Sequence, residues 1–282
     1  TYGDEYEENY RKAVQMGIGK KIKAQDIWSK IIESQVETGV PYLCAKDSAN
    51  KKTNHQNIGV IKQSNLCNEI YQYTDEKTTA ICTLSSIVLK NFIVDGKFDY
   101  NLLIQEVRKA VRALNNVIDK NNYSTEKGLK GGLEQRAIGI GVQGLADVFC
   151  LLDYVFTSDD AKTLNKNIFE AIYFAAVTES NELCKKGIRK PYEFFKGSPM
   201  SKGIFQFDMW GLNDSDLFLD WETLKKDVQE HGVCNSLFTA QMPVASSAKI
   251  TGSFEMTEPA HSALFNRRVV GGEIMIVNKY LI

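Results

Sequence analysis

Apolar and polar positions along the chain fall into alternating helical and strand-like runs. In residues 22–38 (IKAQDIWSKIIESQVET), Ile27, Trp28, Ile31, Ile32 and Gln35 recur at helical spacing, which predicts an amphipathic helix ended by Gly39 and Pro41. Residues 98–119 predict a stronger helix, with Leu103, Val107, Val111, Leu114 and Ile118 on one face. Residues 157–185 predict another, with Ser158 as N-cap and Asp159 and Asp160 in the first turn, and 221–230 a short one. Between them, TTAICTLSSIVLKNFI reads as a buried strand running into a helix or loop, and NSLFTA (235–240) as a second buried strand. VVGGEIMIVN reads as a further strand after a glycine pair. Residues 45–64 are polar, rich in Asn and Lys and without periodicity, which predicts a long loop of the kind that is often functional. Strand-like runs alternating with helices predict an α/β fold with parallel strands. With no repeat and no linker, one domain over residues 1–282 is expected.

Composition adds exclusions. The chain is 43% hydrophobic and 24% charged, as a globular protein is. Its 34 Lys and Arg nearly balance 35 Asp and Glu, so no strong field draws it to nucleic acid or an anionic membrane. No apolar run reaches the roughly 18 residues that span a bilayer. The acidic opening TYGDEYEENYRKAV lacks a signal-peptide pattern. The chain starts at Thr1 and stops inside an apolar pattern at VNKYLI, so a piece excised from a longer protein is expected. None of the six cysteines forms a CxxC, and the three histidines (His55, His231, His261) lie far apart, so no metal site is expected. A reduced, cytoplasmic compartment follows, with most cysteines acting as small buried hydrophobes.

Three stretches carry candidate chemistry. In SNLCNEI (64–70), an extended backbone would turn Asn65, Cys67 and Glu69 to one face. A strand, a TDEK turn and a second strand would bring Cys82 of ICTLSS near them. Taken singly, these residues also read as a turn former, a buried thiol and a solvated acid. In MPVASSAKITG (242–252), small residues at a helix start offer free N–H groups to an anion, or else form a Ser-capped helix. GIGVQG (139–144) is a literal GxGxxG. It lacks a preceding strand and a βαβ unit with a terminal acid, so it reads as a close-packed strand-to-helix junction rather than a nicotinamide or flavin site.

NLCNEI with ICTLSS downstream resembles the finger loop and adjoining strand of the large, catalytic subunit of eukaryote-type class I ribonucleotide reductases. The likeness continues in family order through ETGVPYLCAKDSANKKTNHQNIGVIKQSNLCNEI, RAIGIGVQGLADVF, KGSPMSKGIFQFDMW and MPVASSAKITGSFEMTEPAHSALFNRRVVGGEIMIVN, essentially the whole chain. The resemblance implies part of a ten-stranded α/β barrel with a central finger loop at about residues 57–82. It implies thiyl-radical reduction of ribonucleoside diphosphates to deoxyribonucleoside diphosphates for DNA synthesis. By the same likeness, Cys67 becomes the thiyl radical that takes the 3′ hydrogen, and Glu69 is general base on the 3′ hydroxyl. Asn65 orients the sugar hydroxyls, and Cys82 is one thiol of the reducing dithiol. Ser64, Asn65 and Glu69 touch substrate, while Val244, Ala245, Ser246 and Ser247 receive its diphosphate, with Val244 and Ser247 standing where many relatives have Thr.

The family further implies no cofactor or metal bound by this chain. It implies a di-iron tyrosyl radical in a small subunit, thioredoxin or glutaredoxin as reductant, and ATP and dNTP effectors bound by segments outside the chain. The implied partners are the substrate, the small subunit and a homodimer of the full-length large subunit, without nucleic acid or membrane. The partner of Cys82, the ATP-binding amino-terminal domain, the first part of the barrel, the radical-relaying tyrosine pair and the carboxyl-terminal CxxC tail have no match here. The isolated chain is therefore expected not to turn over, and an incomplete barrel to expose apolar surface. Intact Asn65, Cys67, Glu69 and Cys82 argue against a non-catalytic relative. The KDSANKKTNHQN loop and the PVASS wording argue against a cobalamin-dependent one.

Overall fold

The structure is a computed structural model and describes residues 1–260 and 262–280. Its core is built on two helices, α4 (Tyr100–Lys120) and α7 (Asp159–Lys185). The predicted stripe of Leu103, Val107, Val111, Leu114 and Ile118 is buried on α4, and the Asp99 side chain caps the helix by accepting from Leu102 N–H at 2.9 Å. Ser158 caps α7 as expected, accepting from Ala161 N–H at 3.2 Å. The buried carboxylate of Glu179 on α7 accepts from Arg108 Nε at 2.7 Å and from Arg112 Nε at 2.5 Å, both on α4. A buried charge persists only where such partners answer it, so the two helices are held in one register.

Two parallel strands pack against this pair. Strand β1 (Leu84–Val88) aligns with β4 (Gly139–Gln143), from Leu84 opposite Gly139 to Val88 opposite Gln143. The crossover between them holds a small hairpin of β2 (Ile93–Val94) and β3 (Lys97–Phe98), then α4 and α5 (Glu126–Gln135). After β4 come α6 (Leu145–Leu151), α7 and α8 (Trp221–His231), and the chain returns to lie parallel to β4 at Thr239. The α/β class with parallel strands holds. The close-packed reading of GIGVQG holds too, for a Cβ on Gly141 would lie 2.5 Å from the Ala240 carbonyl oxygen. The glycine faces are filled by protein rather than open to a dinucleotide.

Three expectations need correction. Residues 235–240 are buried but pair with β4 only at Thr239. Ile138 and Ile140 N–H groups, two residues apart, donate to the adjacent carbonyls of Leu237 and Phe238, an uneven register that interrupts a ladder. The strand expected from residue 78 begins only at Leu84, so no strand–turn–strand links Cys67 to Cys82. The polar stretch 45–64 is not a plain loop: it contains α3 (Lys46–Lys51) and the buried side chains of Asn50, Thr53, Asn54 and His55. Asn50 pairs with both backbone groups of Ile61, at 2.8 and 2.9 Å, and Asn54 donates to the Ser236 carbonyl at 2.9 Å. Buried amides acting as backbone surrogates are polar in sequence and interior in space.

His55 completes this polar interior. It is fully buried, and its Nδ1 accepts from Tyr73 N–H at 3.3 Å. A backbone N–H can only donate, so the ring proton sits on Nε2 and is given to Ser236 Oγ, 2.8 Å away. Burial pushes its pKa down to about 3, so the ring is neutral.

The amino-terminal helices α1 (Gly3–Gln15) and α2 (Ala24–Thr38) lie outside the core and bury no residue; Gly39 ends α2 in the left-handed conformation, as expected. The apolar face of α2 is open, with Trp28 55% exposed. After α9 (Ala245–Thr251) comes β5 (Leu264–Val269), and the strand expected after the glycine pair forms as β6 (Gly272–Val277), paired antiparallel with β5. Leu281 and Ile282, the end of the apolar run, lie outside the described residues.

Two outcomes are expected from these contacts. Gly141→Ala should cost roughly 1–3 kcal/mol by overpacking against the Ala240 carbonyl, read as a lower urea midpoint. His55 contributes its full stability above the unfolded histidine pKa of about 6.5, where it is neutral in both states. As pH falls below that value the unfolded chain binds a proton that the native chain refuses, and on the order of 1.4 kcal/mol is lost per unit. The loss continues until the folded pKa of about 3. His55→Gln should flatten the stability–pH slope between these limits by one proton, and an unchanged slope would refute the assignment.

Candidate active site

A cavity of about 440 Å³ opens beside the amino-terminal ends of β1 and β4. Its walls come from α3 and the Thr53–Asn54 turn, from Glu69–Gln72, from Ile81–Leu84, from Ala137–Gly139 and from Ser236–Thr239. Tyr173 of α7 and Met200 close it from the core side. The His55 contacts to Tyr73 and Ser236 join two of these walls.

The SNLCNEI stretch forms a tight loop rather than an extended edge. Asn65 N–H donates to the Ile70 carbonyl at 3.3 Å, and its Oδ1 accepts from Ile70 N–H at 3.1 Å. Asn68 N–H donates to the Asn65 carbonyl at 3.2 Å, and Asn68 takes φ of 68°, the left-handed region that Asn tolerates. Cys44 Sγ and Tyr71 Oη both donate to Asn68 Oδ1, at 2.9 and 2.8 Å, and hold that turn. A turn thus replaces the period-two alternation expected here: Asn65 staples the neck, Leu66 and Cys67 form the exposed tip, and Glu69 returns to the cavity wall.

Glu69 and Cys82 line the same cavity. The Oε2 of Glu69 is buried without a hydrogen-bond partner, an unanswered acceptor beside a ligand-sized space. Cys82 is exposed at the surface of that wall. Crowding by protein, first, and then the negative charges of Glu69 and Cys67 push its thiol above the ordinary cysteine range. Three of the four expected catalytic residues are therefore within electrostatic reach of one another. The fourth, Asn65, spends its Oδ1 on the loop neck. Ser64 is half-buried, and its hydroxyl donates to the neighbouring Asn65 carbonyl at 3.1 Å.

Val244, Ala245, Ser246 and Ser247 do not line this cavity. Val244 is buried in a small cluster with Met242 and Ala248, against Leu84, a residue that also lines the cavity. Ala245, Ser246 and Ser247 are exposed at the start of α9. The Ser-capped alternative does not form: Val244 occupies the N-cap, no side chain caps the helix, and the Ser247 hydroxyl donates back to the Val244 carbonyl at 3.3 Å. The first amides of α9 thus face outward without an intrahelical partner.

Thr53, Asn54, Tyr173, Met200 and Ser236 also shape the cavity, and no motif in the sequence marks them. The one available signal was the length of the polar stretch 45–64 inside a compact region. Among the described residues, no group of three or more His, Cys, Asp or Glu side chains could hold a metal ion. Among the same residues, no helix is long and apolar enough to cross a membrane.

Parallel strands crossed by helices, with one thiol and a buried, unanswered carboxylate on a cavity and a second thiol within electrostatic reach, define an α/β protein with a redox-capable site. Comparison with known proteins gives the family: the model for the ribonucleotide reductase barrel domain matches residues 1–282, and the chain belongs to that family. It is 45% identical over 283 residues to the ribonucleoside-diphosphate reductase large subunit of Caenorhabditis elegans, covering 100% of this chain and 36% of the relative. It is 46% identical over 288 residues to large chain 2 of Saccharomyces cerevisiae, covering 100% of this chain and 33% of the relative. The large subunit of Variola virus is 47% identical over 283 residues, again across 100% of this chain and 36% of the relative. The chain thus spans about a third of the length of these relatives.

The charge of Glu69 opposes ionisation of Cys82, so removing it should favour the thiolate. Glu69→Gln is expected to move the pH midpoint of Cys82 alkylation downward, read by peptide mass spectrometry over a pH series. A midpoint that stays where it was would separate the two side chains.

Proposed function

We propose that this chain is the catalytic barrel portion of a class I ribonucleoside-diphosphate reductase large subunit. The observation that carries the proposal is Cys82 and the unpartnered Glu69 carboxylate on one cavity, with the Cys67 thiol close enough to act on Cys82 from the loop tip. The small subunit, with its di-iron tyrosyl radical, supplies the one-electron oxidation that turns the Cys67 thiol into a thiyl. Cys67 at the exposed loop tip then takes the 3′ hydrogen of the ribose, and Glu69 accepts the 3′ hydroxyl proton as the 2′ hydroxyl leaves as water. Cys82 and a second thiol outside this chain give two electrons and two protons and end as a disulfide. Cys67 returns the hydrogen to the 3′ carbon. The raised pKa of Cys82 suits this work, because a thiol kept protonated is a hydrogen donor.

The free Nδ2 of Asn65 points the sugar, with Ser64 beside it, while Oδ1 holds the loop. The outward amides of Ala245, Ser246 and Ser247, with Val244 ahead of them, receive the diphosphate next to the Leu84 edge of the cavity. The whole chain acts as one domain, and its three parallel segments are part of a ten-stranded barrel whose other strands lie outside it. The finger loop, about residues 57–82, fills its centre. The working enzyme is a cytoplasmic homodimer of full-length large subunits with the small subunit, reduced by thioredoxin or glutaredoxin and tuned by ATP and dNTPs elsewhere in the polypeptide.

The test uses the full-length large subunit with its small subunit and a ribonucleoside diphosphate. Cys67→Ser should abolish deoxynucleotide formation, and Glu69→Gln should slow it by about 10²–10⁴-fold, the usual span of general-base catalysis. Cys82→Ser should end turnover with external reductant. Deoxynucleotide made by Cys67→Ser at the wild-type rate would overturn the assignment.

A further inference from the structure

Cys184 and Cys234 sit together by the carboxyl-terminal end of α7, and neither lines the cavity. Cys184 lies in the last turn of α7, one turn after Ser180, and the Ser180 Oγ is 3.4 Å from Cys234 Sγ. Residues four apart share a helix face, so Ser180 and Cys184 both look at Cys234. The two thiols act on each other's proton affinity in opposite directions. Cys234 is fully buried, whereas Cys184 is half-buried and open to a reagent. The guanidinium of Arg136 acts on both sulfurs, and its Nε is buried without a hydrogen-bond partner. A cation beside a thiol pair favours thiolate on one member, the usual setting of an exchange-competent dithiol.

We propose that Cys184 and Cys234 are a dithiol, separate from the cavity that Cys82 lines, that closes to a disulfide by exchange with a small-molecule disulfide. The neighbouring Cys234 first, and then burial, hold the proton on Cys184, while Cys184, Ser180 and Arg136 lower the pKa of Cys234. The half-exposed Cys184 sulfur first attacks the small disulfide, forming a mixed disulfide and releasing one thiol. The proton on Cys184 makes this the slow step. The Cys234 thiolate then attacks the Cys184 sulfur and expels the second small thiol. Two protein thiols are oxidised by two electrons, and one small disulfide is reduced to two thiols. Closure ties the end of α7 to the stretch that leads into Ser236, and through it to His55.

The test is made on the purified full-length large subunit. It is titrated with oxidised glutathione, quenched with N-ethylmaleimide in denaturant, digested without reduction and mapped by mass spectrometry. The expected result is a linked peptide pair carrying Cys184 and Cys234, lighter than the sum of the two by two hydrogens and split by dithiothreitol. In Cys184→Ser the link should vanish and Cys234 should carry N-ethylmaleimide. The wild-type map decides without any variant. Separate N-ethylmaleimide or glutathione adducts on Cys184 and Cys234, under conditions that fully oxidise Cys82, would overturn the proposal.

Discussion

The cavity depends on one buried imidazole. His55 accepts from the backbone of Tyr73 with one nitrogen and donates to Ser236 with the other, so it ties the outgoing arm of the finger loop to the stretch beside β4. Full burial keeps it neutral, and neutrality is what allows one nitrogen to accept while the other donates. A charged ring would have two donors and would lose the Tyr73 contact. The position of Glu69 and Cys82 across the cavity therefore follows from a residue that touches neither.

Around that knot, polar side chains do the work that strand pairing does elsewhere. Asn50 answers both backbone groups of Ile61, and Asn54 answers Met200 N–H and the Ser236 carbonyl. The parallel segments provide a rigid back wall, drawn close by Gly139 and Gly141, while α4 and α7 support it through Glu179 and its two arginines. The loop around Cys67 needs no strand of its own because its neck is stapled by Asn65 and its tip by Asn68. Such a loop can present a thiol at the surface and return an acid to the interior within three residues.

The helices were legible in the sequence because their burial is periodic: the α4 stripe and the Ser158 cap stand as read. Cys67, Glu69 and Cys82 were singled out by family likeness rather than by pattern; Glu69 and Cys82 share one cavity with Cys67 in electrostatic reach, although the period-two alternation expected there does not form. What could not be read was the interior of residues 45–64. Asn54 and His55 are polar, so a pattern of apolar positions assigns them to solvent, and only partners far along the chain, at Met200 and Ser236, make them interior. The short and uneven pairing near Thr239 was hidden for a related reason, since apolar runs report burial but not register.

His55, Tyr73 and Ser236 form one physical unit. Loss of the Ser236 hydroxyl leaves an imidazole N–H unanswered in the interior, and loss of the imidazole leaves a buried hydroxyl and a backbone amide in the same state. Neither change is neutral alone, although the two together can be. Drift at this knot has to carry both side chains across at once, so it should run more slowly here than on any surface around it.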